Sequence, residues 1–406
     1  MSPLPPNLES AKLRALEVTP IAWAEKQGWK LRRASSSEMV GACPLEGIGD
    51  DRFSINVRTG AWSCRKCGLG GHDVIHLVMW SENRKFVDAL ERINGEKPGR
   101  DVSAEELDEQ RRKADADQAR RDEQAAEFRE KARKAGFGIW EKSKRPDWSA
   151  GGRDAGPVVR YLEKRGIPVA KLLEAAPAGP VLHEIKLHPW REEAVSSEDR
   201  RKYWITMAET GAMIACVQLA DGKFGAVHQT WIDTDQPKGR LVLPDDEKGK
   251  PRPTKKVLGA KKGGAIRLFT PKTPRRIVMG EGIETTLTAM AHAFEPDTAY
   301  WAGVDLGNMS GRAYRGVSDN KLVHELPDLD DRECFLPPDW CEELVYLADG
   351  DDVDNKTIAK VERGLLRAQA LRQMAIEAGT PLPVLSIAYV PPLEPGKDLN
   401  DLVRMG

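Results

Sequence analysis

No run of apolar residues in this 406-residue chain is long enough to span a bilayer or form a secretory leader, and 31% of its residues are charged. Membrane spans and export signals are thereby excluded, and a soluble, cytoplasmic protein is expected. Cysteine is scarce as well. Of six cysteines only Cys64 and Cys67 form a tight pair, while Cys216, Cys334 and Cys341 stand apart. That pattern argues against a disulfide framework and for a reduced compartment with metal binding. Nor is there an excess of charge of either sign. The formal net charge of -1 leaves nucleic acid open as a partner, because acidic clusters can offset basic stripes on another face.

What is present falls into four stretches, expected as domains over 1-95, 96-150, 151-270 and 271-406. The first centres on Cys43-Pro44-Leu45-Glu46, Asp51 to Val57 and Gly60 to Gly68. Phe53, Ile55 and Val57 alternate as one face of a strand, Thr59-Gly60 supplies a turn, and Trp62 opens a return strand that delivers Cys64 and Cys67. This is a zinc-ribbon layout, in which Trp62 reads as core. Amphipathic helices follow from Asp73 and through Phe86 to Ile93, stopping at Gly95. Over about 100 to 142, Glu, Arg, Lys, Asp, Gln and Ala dominate, which implies a long, exposed, charged helix acting as a spacer.

The third stretch is mixed. A short helix through Val158, Val159, Tyr161 and Leu162 ends at Gly166, and two strands, 213–219 and 224–231, flank an Asp221-Gly222 turn. His228 reads as a satisfied histidine half-buried in that sheet. A basic, glycine-bearing run follows, from Lys255-Lys256 through Lys261-Lys262-Gly263-Gly264 to Arg267. These five cations are candidate phosphate and template contacts, with a solvated surface as the plain alternative, and the glycines would permit close backbone approach.

The last stretch alternates strand and helix: strand 276–280, a helix from Ile283, strand 299–302, an irregular insertion through Pro338, strand 344–348, a helix over about 357–378 and strand 384–390. A mostly parallel sheet with crossover helices is implied. Glu281 then stands at one strand end and Asp349-Gly350-Asp351-Asp352 at another. In an open parallel sheet the strand C-termini converge on one crevice, so carboxylates there can share hard divalent cations. The fold class is thus α/β and α+β multidomain: an N-terminal zinc ribbon, a charged helical linker, a mixed middle part and a C-terminal parallel-sheet domain.

Gly280-Glu281-Gly282-Ile283-Glu284-Thr285, Asp349-x-Asp351 and Gly396-Lys397-Asp398-Leu399-Asn400-Asp401 resemble the Toprim domain of primase-like proteins from phages, plasmids and integrated elements. Asp51-Arg52-Phe53-Ser54-Ile55-Asn56 followed by Cys64-x-x-Cys67 is similar to the zinc-binding domain of bacterial and phage primases. The resemblance implies Mg2+ or Mn2+ held by Glu281, Asp349 and Asp351, with Asp398 as a further ligand and Asp352 and Glu284 as second choices. It also implies Zn2+ on Cys43, Cys64 and Cys67. Where that family has a cysteine or histidine, this chain has Glu46, so the fourth ligand is open between Glu46 and His72.

The implied activity is synthesis of RNA primers on single-stranded DNA from nucleoside triphosphates, with a separate replicative helicase and no membrane partner. No Gly-x-x-x-x-Gly-Lys-Ser/Thr motif extends the resemblance to a helicase domain. A metal-dependent nuclease, or a replication-accessory protein that binds DNA without catalysis, are the rival expectations.

Overall fold

The computed structural model describes residues 4–34, 38–67, 69–99, 103–195, 201–246, 249–315, 322–348, 355–391 and Leu399. The chain forms two compact units, Met1–Phe128 and Arg129–Gly406. The first opens with helices α1 (Pro6–Leu16) and α2 (Pro20–Lys26), continues through β1 (Leu31–Arg33), β2 (Glu38–Gly41), β3 (Phe53–Asn56), β4 (Trp62–Cys64) and β5 (Leu69–Gly71), and returns to helix in α3 (Val74–Ser81) and α4 (Phe86–Asn94). The strands make an antiparallel meander in sequence order. Alternation in β3 sends Phe53 and Ile55 inward against Trp62, Leu77 and Leu90. Asp73 caps α3 by accepting from His76 N at 2.9 Å, and Gly95, at φ +78°, ends α4 in the left-handed conformation that glycine tolerates.

Helix α5 (Ala104–Lys142) is 39 residues long. Ser103 and Glu106 start it with a reciprocal pair of side-chain to backbone bonds at 3.1 and 3.2 Å. The charged helix read from the sequence is therefore present, but it is not exposed throughout. Its last turns, through Ile139 and Trp140, pack on Ala212, Ile214 and Val227, and a Cβ on Gly136 would lie 2.6 Å from Leu258 O.

The second unit continues with α6 (Pro157–Lys164) and α7 (Val169–Ala175), then β6 (His183–Val195), β7 (Lys202–Gln218), β8 (Phe224–Trp231), β9 (Lys255–Gly259), β10 (Ala265–Phe269) and β11 (Arg276–Gly280). After α8 (Ile283–His292) come β12 (Thr298–Ala302), α9 (Leu306–Ser310), β13 (Ala313–Arg315), β14 (Leu322–Pro327), β15 (Glu343–Leu347), α10 (Asn355–Glu377) and β16 (Ser386–Val390). Nine strands form one sheet in the order β16-β15-β11-β12-β10-β7-β8-β9, with β6 paired to β7. The pairs β16-β15, β15-β11 and β11-β12 are parallel, and from β10 onward the sheet is antiparallel.

Helices cover the parallel part on both faces, which is why its strands are apolar without alternation. Leu287 and Met290 of α8 join Val278, Tyr300 and Val345 on one face, and Val361, Leu365 and Ala368 of α10 join Ile277, Met279 and Trp301 on the other. The segment after Ala302, read from sequence as irregular through Pro338, instead carries α9 and the β13-β14 hairpin. Asp305 starts α9 by accepting from Asn308 N at 2.9 Å, a cap signal that such a short helix gives without any apolar period.

Candidate active site and metal centre

Gly280 closes β11 opposite Leu347 of β15 on one side and Ala302 of β12 on the other. Glu281 therefore leaves the sheet beside Ala348, the residue before Asp349, at the spacing of neighbouring strands, about 4.8 Å. The chain runs outward in opposite directions from this pair, β11 to β12 one way and β15 to β16 the other, so the point between them is a topological switch. Asp349, Asp351, Asp352 and Asp398 lie outside the described residues. Thr286 fixes the turn that carries Glu281: its hydroxyl accepts from Gly280 N at 3.1 Å and donates to Gly282 O at 2.9 Å.

A further carboxylate reaches the same edge. Asp305 follows β12 directly after Val304, whose φ of +73° is rare for a β-branched residue and costs about 1–3 kcal/mol. Sequence reasoning missed Asp305 because its neighbours offered no strand end of their own. The only signal was Asp305 placed three residues before Asn308. Asn308 ties the basic run to this edge: its amide donates to Gly264 O at 2.8 Å and Gly303 O at 2.9 Å, and its Oδ1 accepts from Gly263 N at 2.8 Å. The glycine requirement at 264 is a close approach within the protein, since a Cβ would lie 2.8 Å from Val217 Cγ1 and 2.9 Å from Gln218 O.

The five cations divide by environment. Lys261 pairs with Asp305 and Lys262 with Glu333, both pairs substantially exposed. Lys256 lies 3.5 Å from the Trp190 ring centre and donates to Arg191 O at 2.7 Å, and burial pushes its pKa down to about 8. Arg267 stacks 4.5 Å from the Trp301 ring centre and donates to Leu219 O at 2.9 Å. Lys255 pairs at 2.8 Å with Glu284, a carboxylate only 5% exposed that also accepts from Tyr161 Oη at 2.5 Å. Burial alone would raise the Glu284 pKa, but Lys255 and the Tyr161 hydroxyl hold it far below the carboxylate range. His228 is buried rather than half-buried, and its Nδ1 has no hydrogen-bond partner among the described residues. Burial, aided by the Lys255 charge, pushes its pKa down to about 4.

In the first unit, Cys43 after β2, Cys64 at the end of β4 and Cys67 in the following turn bring their sulfurs within 4.8 Å of one another. Cys43 and Cys67 Sγ are 3.6 Å apart. Thiolates on a tetrahedral zinc with bonds near 2.3 Å sit about 3.8 Å apart, so the trio fits that ion. Burial opposes ionisation of Cys43, and the N–H groups of Glu46 and Leu45 outweigh it and lower the thiol pKa. The Glu46 side chain is turned to Lys66 Nζ at 3.6 Å, and His72 is exposed. Neither brings a donor atom into the close group. Arg65 and Lys66 are exposed beside it.

The profile of a domain of unknown function (DUF7146) matches residues 130–268. No curated protein matches the chain. Among solved structures, the Aquifex aeolicus primase (zinc-binding and RNA polymerase domains) is similar at 14% identity and a TM-score of 0.29, over 98% of this chain and 82% of that one. A DNA primase domain from Pseudomonas aeruginosa is similar at 13% identity and a TM-score of 0.35, over 68% and 74%. The primase fragment of the bacteriophage T7 primase-helicase is similar at 13% identity and a TM-score of 0.29, over 90% and 94%. No helix among the described residues is long and apolar enough to cross a membrane.

Proposed function

We propose that this chain is a primase-type nucleotidyltransferase that makes short RNA primers on single-stranded DNA for a mobile element and works with a separate helicase. The observation that carries the reading is the pairing of Gly280 with Leu347 at the switch point of a parallel sheet, which leads Glu281 out beside the residue before Asp349. Glu281, Asp349 and Asp351 would hold Mg2+ or Mn2+, with Asp398 as a further ligand. Such ions supply charge neutralisation for attack of a 3' hydroxyl on the α-phosphate of the incoming nucleotide.

Lys261 and Lys262 are the cations best suited to phosphate. Their partners are surface carboxylates, exposed ion pairs contribute about 0–1 kcal/mol, and a phosphate oxygen can replace Asp305 or Glu333 at little cost. Asn308 holds the Gly263-Gly264 end of their turn against the acidic edge. The zinc module, with Cys43, Cys64 and Cys67 as ligands and Arg65 and Lys66 exposed beside them, would read the template.

The test is an incubation of the full chain with circular single-stranded DNA, labelled nucleoside triphosphates and Mg2+ or Mn2+, beside the Asp349→Ala variant. Metal-dependent short products that vanish in the variant support the primase. Shortened template identifies a nuclease instead, and neither product nor cleavage identifies an accessory protein.

A further inference from the structure

Lys255 stands in the basic run, yet its surroundings differ from those of Lys261 and Lys262. Its partner Glu284 lies in the first turn of α8, with 7% of its side chain exposed, and Lys255 donates to both carboxylate oxygens, at 2.8 and 2.9 Å. Tyr161 of α6, fully buried, donates to the same carboxylate. Three elements thus meet on one ionised group: α6, the edge strand β9 and α8. Were Lys255 to leave for a phosphate, Glu284 would be a buried charge without its cation, a far larger penalty than parting a surface pair.

The location gives this network a purpose. Gly282, which caps α8, has no side chain to bond the first turn, and Glu284 follows it by two residues. Thr286, one turn on in the same helix, holds Gly280 and Gly282 on either side of Glu281. Anchoring the first turn of α8 therefore anchors the Glu281 turn.

We propose that Lys255 is a positioning residue, which through Glu284 and Tyr161 fixes the first turn of α8 and with it Glu281, and does not contact nucleic acid. The proposal rests on the metal-dependent reading above. A lysine so placed acts on metal affinity and turnover, whereas a phosphate contact acts on nucleic-acid affinity and its salt dependence.

The experiment uses the full chain with Lys255→Met, Lys255→Arg and the double variant Lys255→Met/Glu284→Gln, which leaves no buried charge unpaired and so guards against unfolding. Three quantities are measured: binding of a labelled oligothymidylate across salt by anisotropy, Mn2+ affinity by electron paramagnetic resonance, and kcat and KM for nucleotide. Lys255→Met and the folded double variant are expected to bind the oligonucleotide as wild type does, with the same salt slope. Their Mn2+ affinity and kcat fall by about 10-fold or more, as for lost supports of metal ligands, while KM stays near wild type. Lys255→Arg recovers most of the loss.

Unchanged Mn2+ affinity in the double variant, or weaker oligonucleotide binding with a shallower salt slope, overturns the proposal. Wild-type protein that binds Mn2+ but makes no primer defeats the primase reading alone, and the role of Lys255 is then decided by Mn2+ affinity. Wild-type protein that binds no Mn2+ defeats both.

Discussion

His228 shows how one buried side chain sets a pH dependence. Its folded pKa, near 4, lies below the ordinary 6.5, so as pH falls through 6.5 the unfolded chain takes up a proton that the folded chain refuses. Stability is therefore lost between about 6.5 and 4 and is insensitive to this group above that window. His228→Gln is expected to flatten the slope, read as a smaller difference between urea midpoints at pH 7.5 and 5. Glu284 acts lower. Its folded pKa is depressed, so its stabilisation is intact above the ordinary 4.5 and declines as pH falls from there toward the folded value. Glu284→Gln, which strands Lys255, is expected to cost about 3 kcal/mol in urea unfolding at pH 7. At residue 264, Gly264→Ala places a Cβ against Gln218 O and is expected to cost about 1–3 kcal/mol, visible as a lowered Tm.

At the scale of elements, local chemistry decided what the sequence revealed. Alternating Phe53 and Ile55, the Asp221-Gly222 turn and the apolar run before Glu281 are signals within a few residues, and β3, the β7-β8 hairpin and β11 stand where those signals point. The ribbon formed by β6 and the first half of β7 was not legible. Pro189, Glu192 and Glu193 interrupt any apolar alternation, and the ribbon is held by strand pairing, with Trp190 Nε1 donating to Pro253 O at 3.0 Å. The insertion was missed for a related reason, since much of its anchoring comes from α10: Arg363 donates to His324 O and Gly311 O, and Arg372 to the carbonyls of Pro338, Asp339, Cys341 and Pro383. Such contacts leave no periodic trace. Arg372→Ala leaves those buried carbonyls short of donors and is expected to cost about 3 kcal/mol in urea unfolding. For the metal module, a chelator is expected to release one zinc per chain and to shift near-ultraviolet bands from the Phe53, Trp62 and Trp80 stack, and Cys64→Ser is expected to carry no stoichiometric zinc.

For the molecule as a whole, the sheet of the second unit is what gives scattered motifs a common place. The basic run enters through β9 and β10, Glu281 through β11, Asp305 after β12 and Ala348 after β15, and β10 joins the antiparallel strands to the parallel ones. Sequence alone identified the acidic strand ends by type, but not which strands are neighbours, because pairing order is set by packing across residues far apart in the chain. The register of β11 with β15 supplies that order. Its consequence can be measured directly by collecting anomalous diffraction at the manganese edge from crystals of the full chain grown with Mn2+. The expected result is a peak within about 2–2.5 Å of oxygens from both Glu281 and Asp349. A well-ordered crevice with no peak, or manganese bound only elsewhere, would contradict the account.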